Sequence, residues 1–243
     1  MRLAISTLLA SSLAACDPAA GTDACGIPND GLSMVATAVD NGVSIHAEVD
    51  FGEGARTGPP GSLALCDGDE LTIAGEKPER TDRTDRVVYS ASLDASAARV
   101  IEFMLKRDGE DDLAFAVELA PPFDITAPTS DQEVSRSSDF MLAWGPANDG
   151  AEIHIGLAEE IGYGICLETT TAEHDYKSEG GVVVDDKGSW NVPASVIDGG
   201  TRDKCDATYR LTRFTTPSYP AAFHSGGFLE GRVERFVAFV SVP

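Results

Sequence analysis

The sequence predicts an all-β protein built from two tandem β-sandwich domains, and three observations support this. Apolar and polar residues alternate in short segments such as "VSIHAEVDF" at 43–51, a period typical of strands with one buried face. Turn signals such as "DNG" at 40–42 separate these segments. The segments between residues 32 and 124 include none with the 3.6-residue period of a helix, and many short strands at regular spacing are typical of a sandwich.

The first sandwich is predicted over residues 32–124. Its strands are predicted in segments that share this alternation or are short and apolar: "LSMVATAV", "VSIHAEVDF", "SLALC", "ELTIAGE", "RVVYSASL", "VIEFMLKR" and "LAFAVELA". The last two flank the turn-forming sequence "DGEDD" and are predicted to form a hairpin.

The second sandwich is predicted over residues 125–243. The Pro- and Ser-rich segment 120–139 breaks the alternation, so we place the domain boundary near residue 124. A second series of strands begins at "DFMLAWGPANDGAEIHIGL". Residues 148–157 align without a gap with residues 40–49, at an offset of 108. This repeat favours a tandem duplication, and two sandwiches of independent origin are the alternative.

The N-terminal residues predict a secretory signal peptide over residues 1–15. Arg2 precedes an uncharged apolar run from Leu3 to Ala15, and this pattern is typical of signal peptides. A membrane-spanning helix needs about 20 apolar residues, so the run is too short to span a bilayer stably.

The end of this run, Leu13-Ala14-Ala15-Cys16, resembles the lipobox of bacterial lipoproteins. The resemblance implies cleavage before Cys16 and attachment of lipid to Cys16, which would place the chain at the bacterial cell envelope. Acyl chains at one residue give stable membrane attachment when two or more are present. The alternative is an ordinary secreted protein with a chance cysteine. Residues 16–31, rich in Asp, Pro, Ala and Gly, are predicted to form a tether; whether the membrane is the inner or the outer one stays open.

Four cysteines remain besides Cys16, and an even number in an oxidising compartment predicts disulfides. Four cysteines allow three pairings. If each sandwich closes its own disulfide, Cys25 pairs with Cys66 and Cys166 pairs with Cys205.

The start of the second series resembles a fibronectin type III domain, one of the immunoglobulin-like sandwiches. Trp144 alternates with Leu142 and Phe140 and is followed by a turn and a strand, as in the B and C strands of that family. "TYRLTR" at 208–213 resembles its tyrosine-bearing F strand. The resemblance implies an architecture and no particular function.

The net charge of the chain and its lack of known signature motifs disfavour several classes of function. With 40 acidic and 18 basic residues the net charge is −22, which disfavours nucleic acid as a partner. Signature motifs of serine hydrolases, zinc proteases and phosphate-binding loops are not found, and the acidic clusters lack EF-hand spacing. We therefore expect no cofactor, no metal and no catalytic residue. His46 and His154 fall on the outward phase of their strands and are expected to be solvated.

The sequence thus predicts a membrane-anchored envelope lipoprotein with a structural role or one in binding an envelope protein or glycan. The alternative is an envelope hydrolase whose active site carries no motif. The predicted contact segment is 215–227, with Tyr219, Phe223 and His224 as ligand-binding residues, because exposed aromatic side chains on loops anchor interfaces. The alternative to a binding role is that Phe223 folds back onto the end of the sandwich.

Overall fold

The computed structural model describes residues 22–54, 63–83, 86–96, 98–159, 168–169, 181–194, 197–198 and 203–243. Cys16 and Cys166 lie outside these residues. The strands within them are Thr22–Asp23 (β1), Leu32–Asp40 (β2), Ser44–Glu53 (β3), Leu63–Ala64 (β4), Glu70–Ile73 (β5), Glu79–Asp82 (β6), Val87–Asp94 (β7), Val100–Lys106 (β8), Leu113–Glu118 (β9), Asp124–Ala127 (β10), Gln132–Ser135 (β11), Phe140–Gly145 (β12), Glu152–Glu159 (β13), Glu168–Thr169 (β14), Val182–Asp185 (β15), Ser189–Val192 (β16), Ile197–Asp198 (β17), Cys205–Thr215 (β18) and Phe228–Val242 (β19).

The predicted all-β fold is confirmed. Over the described ranges the strands are joined by turns and one short 3₁₀ helix, Asn29–Gly31, and none of the helical structure there is long and apolar enough to cross a membrane. The alternation located most strands because each buries every second side chain; in β8, for example, Ile101, Phe103 and Leu105 are buried.

A large sheet of eleven strands runs through both halves of the chain. Its main path is β1-β4-β3-β2-β19-β18-β13-β15, with β7 and β6 continuing beside β3 and β11 beside β19. Two three-stranded sheets, β5-β8-β9 and β10-β12-β16, complete the two sandwiches, and β14 pairs with β17. The second sandwich buries Leu142, Trp144 and Tyr209 between its sheets. All three belong to the segments that resemble strands of a fibronectin type III domain.

Strand β19 belongs to both sandwiches. Residues 228–233 pair in parallel with β2, residues 239–242 pair in parallel with β11, and β18 pairs antiparallel along residues 231–241. At about 3.3 Å per residue, this 15-residue strand is about 50 Å long. The buried apolar residues of both halves accordingly form one contiguous cluster. The division of the chain at residue 124 stays a prediction, but the large sheet is continuous across it.

The repeated sequence segments occupy different places in the fold. Residues 40–42 turn between β2 and β3, which are neighbours in one sheet. The aligned residues 148–150 follow β12, and β12 and β13 lie in different sheets. The local similarity therefore reflects a shared turn and strand pattern, and it does not extend to the sheet topology.

The N-terminal residues of the described chain pack onto the first sandwich. The predicted Cys25–Cys66 disulfide is present, with 5.5 Å between its Cα atoms, and β1 pairs with β4. Arg107 is buried and donates hydrogen bonds to the carbonyl oxygens of Ala24 and Ile27 at 2.8 and 2.7 Å. Residues 22–31, predicted as part of the tether, are thus part of the folded domain. Cys205 is also disulfide-bonded, and its predicted partner, Cys166, lies outside the described residues.

Candidate binding face

The outer face of the large sheet carries three exposed phenylalanines, which we call the aromatic strip: Phe214, Phe228 and Phe236. Their exposed fractions are 36%, 47% and 53%. All three lie on the paired strands β18 and β19 and point away from the core, because the residues next to them in each strand, such as Leu229 and Val237, are buried. Three exposed phenylalanines on one face of two paired strands offer aromatic side chains of the kind that is enriched at protein–protein interfaces.

The strand register sets the spacing of the strip. Phe214 lies directly opposite Arg232, and Phe236 lies opposite Arg210. Phe228 and Phe236 are eight residues apart on one strand, which corresponds to about 26 Å, and Phe214 lies beside the midpoint between them. The strip is therefore a linear feature that follows the long strand β19 from the first sandwich into the second.

Arg232 is held at the centre of the strip. Its guanidinium lies 5.5 Å from the centre of the Phe214 ring, and its Nε atom is 2.5 Å from Oε1 of Glu230. The ring of His154 approaches the Phe214 ring from the other side, at 4.5 Å between centres. Arginine and aromatic side chains that are ordered in this way before a partner arrives lose little conformational entropy on binding.

Carboxylates lie within the strip and beside it. Glu234 lies between Arg232 and Phe236 on β19, and Glu152 lies on β13, the strand that flanks β18. Asp206 lies on β18 beyond Arg210. Among the described residues, Glu152 and Glu234 have no basic group within ion-pair distance. Charged side chains therefore lie between the phenylalanines of the strip as well as beside them.

The predicted contact segment 215–227 folds back onto the first sandwich. Phe223 is buried and packs edge-on against Phe115, with 5.6 Å between ring centres. The Oη atom of Tyr219 accepts a hydrogen bond from the backbone N–H of Met34 at 2.9 Å, and the backbone N–H of His224 donates to Leu32 at 2.7 Å. These contacts give the segment a structural role and leave Phe223 inaccessible to a ligand. The exposed aromatic side chains lie on the two strands that flank it.

His46 and His154 point outward, as expected from their phase, but they lie on β3 and β13. Strands β2, β19 and β18 lie between β3 and β13 in the sheet. The two imidazoles are therefore four strand spacings apart, or about 19 Å at 4.8 Å per spacing. The part of the chain that the structure describes contains no group of three or more His, Cys, Asp or Glu side chains placed to hold a metal ion.

The buried charged residues form ion pairs inside the fold. Arg213 and Asp186 are almost completely buried, with 2.5 Å between Arg213 Nε and Asp186 Oδ2. Asp40 is buried between Arg99 and Arg235. Burial would raise the pKa of Asp40, but hydrogen bonds from Arg99, Gly42 and Arg235 outweigh it and lower the pKa below its ordinary value. Charged groups that are paired and enclosed in this way support the structure and do not form an open catalytic site.

A shallow depression of about 460 Å³ lies on the outer face of the sheet β5-β8-β9. Thr72, Glu102, Met104, Ala114 and Ala116 are among its lining residues. Glu102 is its one ionisable side chain, so the depression lacks the convergent acid and base groups that a hydrolase needs.

Comparisons with known proteins identify no family. No protein-family model matches the chain, and no curated protein matches it. Among solved structures, the chain is similar to the Yersinia pseudotuberculosis adhesin InvE, with 11% identity over 84% of this chain and 58% of that one and a TM-score of 0.25. It is also similar to DIP-gamma IG1+IG2, with 8% identity over 85% and 97% of the two chains and a TM-score of 0.23. A three-domain structure of titin domains I67–I69 matches with 9% identity over 86% and 64% of the chains, also with a TM-score of 0.23. At these TM-scores the similarities support no inference about function.

Sequence reasoning missed the aromatic strip although its signal was present. In "FLEGRVERF" at 228–236, the buried positions are Leu229, Gly231 and Val233, so both phenylalanines fall on the polar phase of the strand. An aromatic residue at both ends of an otherwise charged strand face is the observation that identifies the site.

Proposed function

We propose that this chain is a bacterial envelope lipoprotein, anchored through Cys16, that binds another protein through the outer face of its large sheet. The observation that carries the proposal is the aromatic strip. Exposed phenylalanines beside an ordered arginine are side chains that are enriched at protein–protein interfaces, and arginine is among the residues that often dominate the binding energy. Protein is favoured over glycan because aromatic and arginine side chains are enriched at protein–protein interfaces.

The position of residue 22 supports a defined orientation on the membrane. Strand β1 pairs with β4, which pairs with β3 at Phe51, and Phe51 lies opposite Met34 near the start of β2. A tether that ends at β1 holds this end of the first sandwich nearest the lipid. Strand β19 starts beside the same end and runs away from it, so the strip extends outward from the membrane.

The anchor is tested by metabolic labelling of cells with a clickable fatty acid. The native chain is expected to incorporate label, and Cys16→Ser is expected to lose it and to move to the soluble fraction. A Cys16→Ser variant that is labelled as strongly as the native chain would refute the lipid attachment.

The binding face is tested by affinity capture from a native envelope extract on the immobilised chain. A face variant, Phe214→Ser/Phe228→Ser/Phe236→Ser, is compared with a control variant, Val43→Ser/Val100→Ser/Met104→Ser, which removes three exposed apolar side chains elsewhere. The face variant is expected to retain its partner at least about tenfold less, and the control is expected to match the native chain. Circular dichroism verifies that both variants are folded. Equal capture by both variants would contradict the proposal.

A further inference from the structure

Resting on the proposed function, we infer that the partner of this face is a protein surface that presents lysine or arginine side chains beside apolar ones. Among the described residues, Glu152 and Glu234 form no ion pair with a basic side chain, and Asp206 adds a further carboxylate along β18. Basic side chains on a partner would be attracted to these solvent-accessible carboxylates, and acidic ones would be repelled.

The two arginines on this face, Arg210 and Arg232, do not reverse the preference for a basic partner. Arg232 is paired with Glu230 and lies over the Phe214 ring, so its charge is already compensated within the chain. Arg210 is partly buried beside Gly156, with its Nε and Nη2 atoms 3.6 Å from where a side chain at Gly156 would begin. Arg210 forms no ion pair among the described residues, but Glu152, Glu234 and Asp206 outnumber it, so the face keeps a net negative charge for a partner to neutralise.

The charge of the whole molecule favours the same kind of partner. At −22, two copies of this chain repel one another, whereas a basic protein is attracted over several ångströms before contact. Electrostatic attraction of this kind mainly raises the association rate and weakens with added salt. A heterologous basic partner is thus favoured over self-association.

The inference is tested on the envelope protein that the native chain captures and the Phe214→Ser/Phe228→Ser/Phe236→Ser variant does not. This protein is first identified and purified. Surface plasmon resonance measures its binding to the native chain and to a border variant, Glu152→Gln/Glu234→Gln. The control variant, Glu79→Gln/Glu102→Gln, removes the same charge from exposed positions on β6 and on the other face. We expect the border variant to bind about fivefold more weakly, mostly through slower association, and the control to lose less than about twofold.

Salt supplies a second readout. Raising NaCl from 50 to 300 mM is expected to weaken native binding by about tenfold and to weaken binding of the border variant by less. A strip-dependent partner whose affinity is unchanged or improved in the border variant would overturn the inference and leave the proposed function standing. Strip-dependent capture of this chain alone would also overturn it. If no captured protein depends on the strip, the proposed function itself fails.

Discussion

Asp186 and Arg213 form the most enclosed polar contact among the described residues, and they connect three parts of the chain. Asp186 Oδ1 accepts a hydrogen bond from Trp144 Nε1 at 2.7 Å. Arg213 donates to the carbonyl oxygens of Pro121 at 2.9 Å and Pro146 at 2.5 Å. The end of the first sandwich is thereby tied to strands β12 and β18 of the second. The fibronectin-like pattern placed Trp144 on a strand but did not reveal Asp186, because "VDDKG" at 184–188 resembles an ordinary polar turn.

At this scale we predict that Asp186→Asn strongly destabilises the protein. The substitution leaves the buried Arg213 guanidinium without a counter-charge, and breaking a buried pair costs about 3–5 kcal/mol. The neighbouring Asp185→Asn is a matched control, because Asp185 is exposed and, among the residues that the structure describes, forms an ion pair only with the exposed Lys187; its expected cost is below about 1 kcal/mol. Urea unfolding measures the free energy of unfolding of both variants. Equal losses would show that the buried Asp186–Arg213 pair contributes no more than the exposed one.

At the scale of elements, the fold depends on β18 and β19 lying close against the first sandwich. The hydroxyl of Thr215 donates to the carbonyl oxygen of Glu118, and Gly231 lies against the same oxygen. Alternation predicted β2, β3, β8 and β9 because each has one buried face. It did not predict β6, whose four residues are all exposed, or β10 and β11 in the Pro- and Ser-rich segment. The pairing of β2 with β19 joins residues almost 200 positions apart, and no local pattern specifies such a contact.

Gly231→Ala is predicted to disrupt this contact. A Cβ atom at residue 231 would lie 2.2 Å from the Glu118 carbonyl oxygen, which belongs to the backbone and cannot rotate away. We expect a loss of at least about 1–3 kcal/mol in the free energy of unfolding, the range for overpacked sites. At Gly156 the added atom would meet its nearest neighbour at 3.6 Å, an ordinary contact, so Gly156→Ala serves as the control. Thermal unfolding of the two variants side by side tests the difference.

At the scale of the whole molecule, one strand shared by two sandwiches makes their folding interdependent. We predict that the described halves unfold in a single cooperative transition, since neither can lose β19 without exposing strand edges and apolar surface. Both tryptophans, Trp144 and Trp190, lie in the second sandwich, so their fluorescence reports on that half alone, whereas far-ultraviolet circular dichroism reports on both halves. Coincident urea midpoints are expected from the two probes, and two separated transitions would show that the halves fold independently.

The central claim is that the outer face of the large sheet binds a protein at the cell envelope. A photo-crosslinking phenylalanine analogue placed at Phe236 tests it most directly in living cells, with the same analogue at Val43 as control. Val43 is 85% exposed and lies at the β2–β3 turn, off the strip. The account predicts a discrete crosslinked adduct with another protein from position 236 and none from position 43. No adduct from position 236, or the same adduct from both positions, would contradict it.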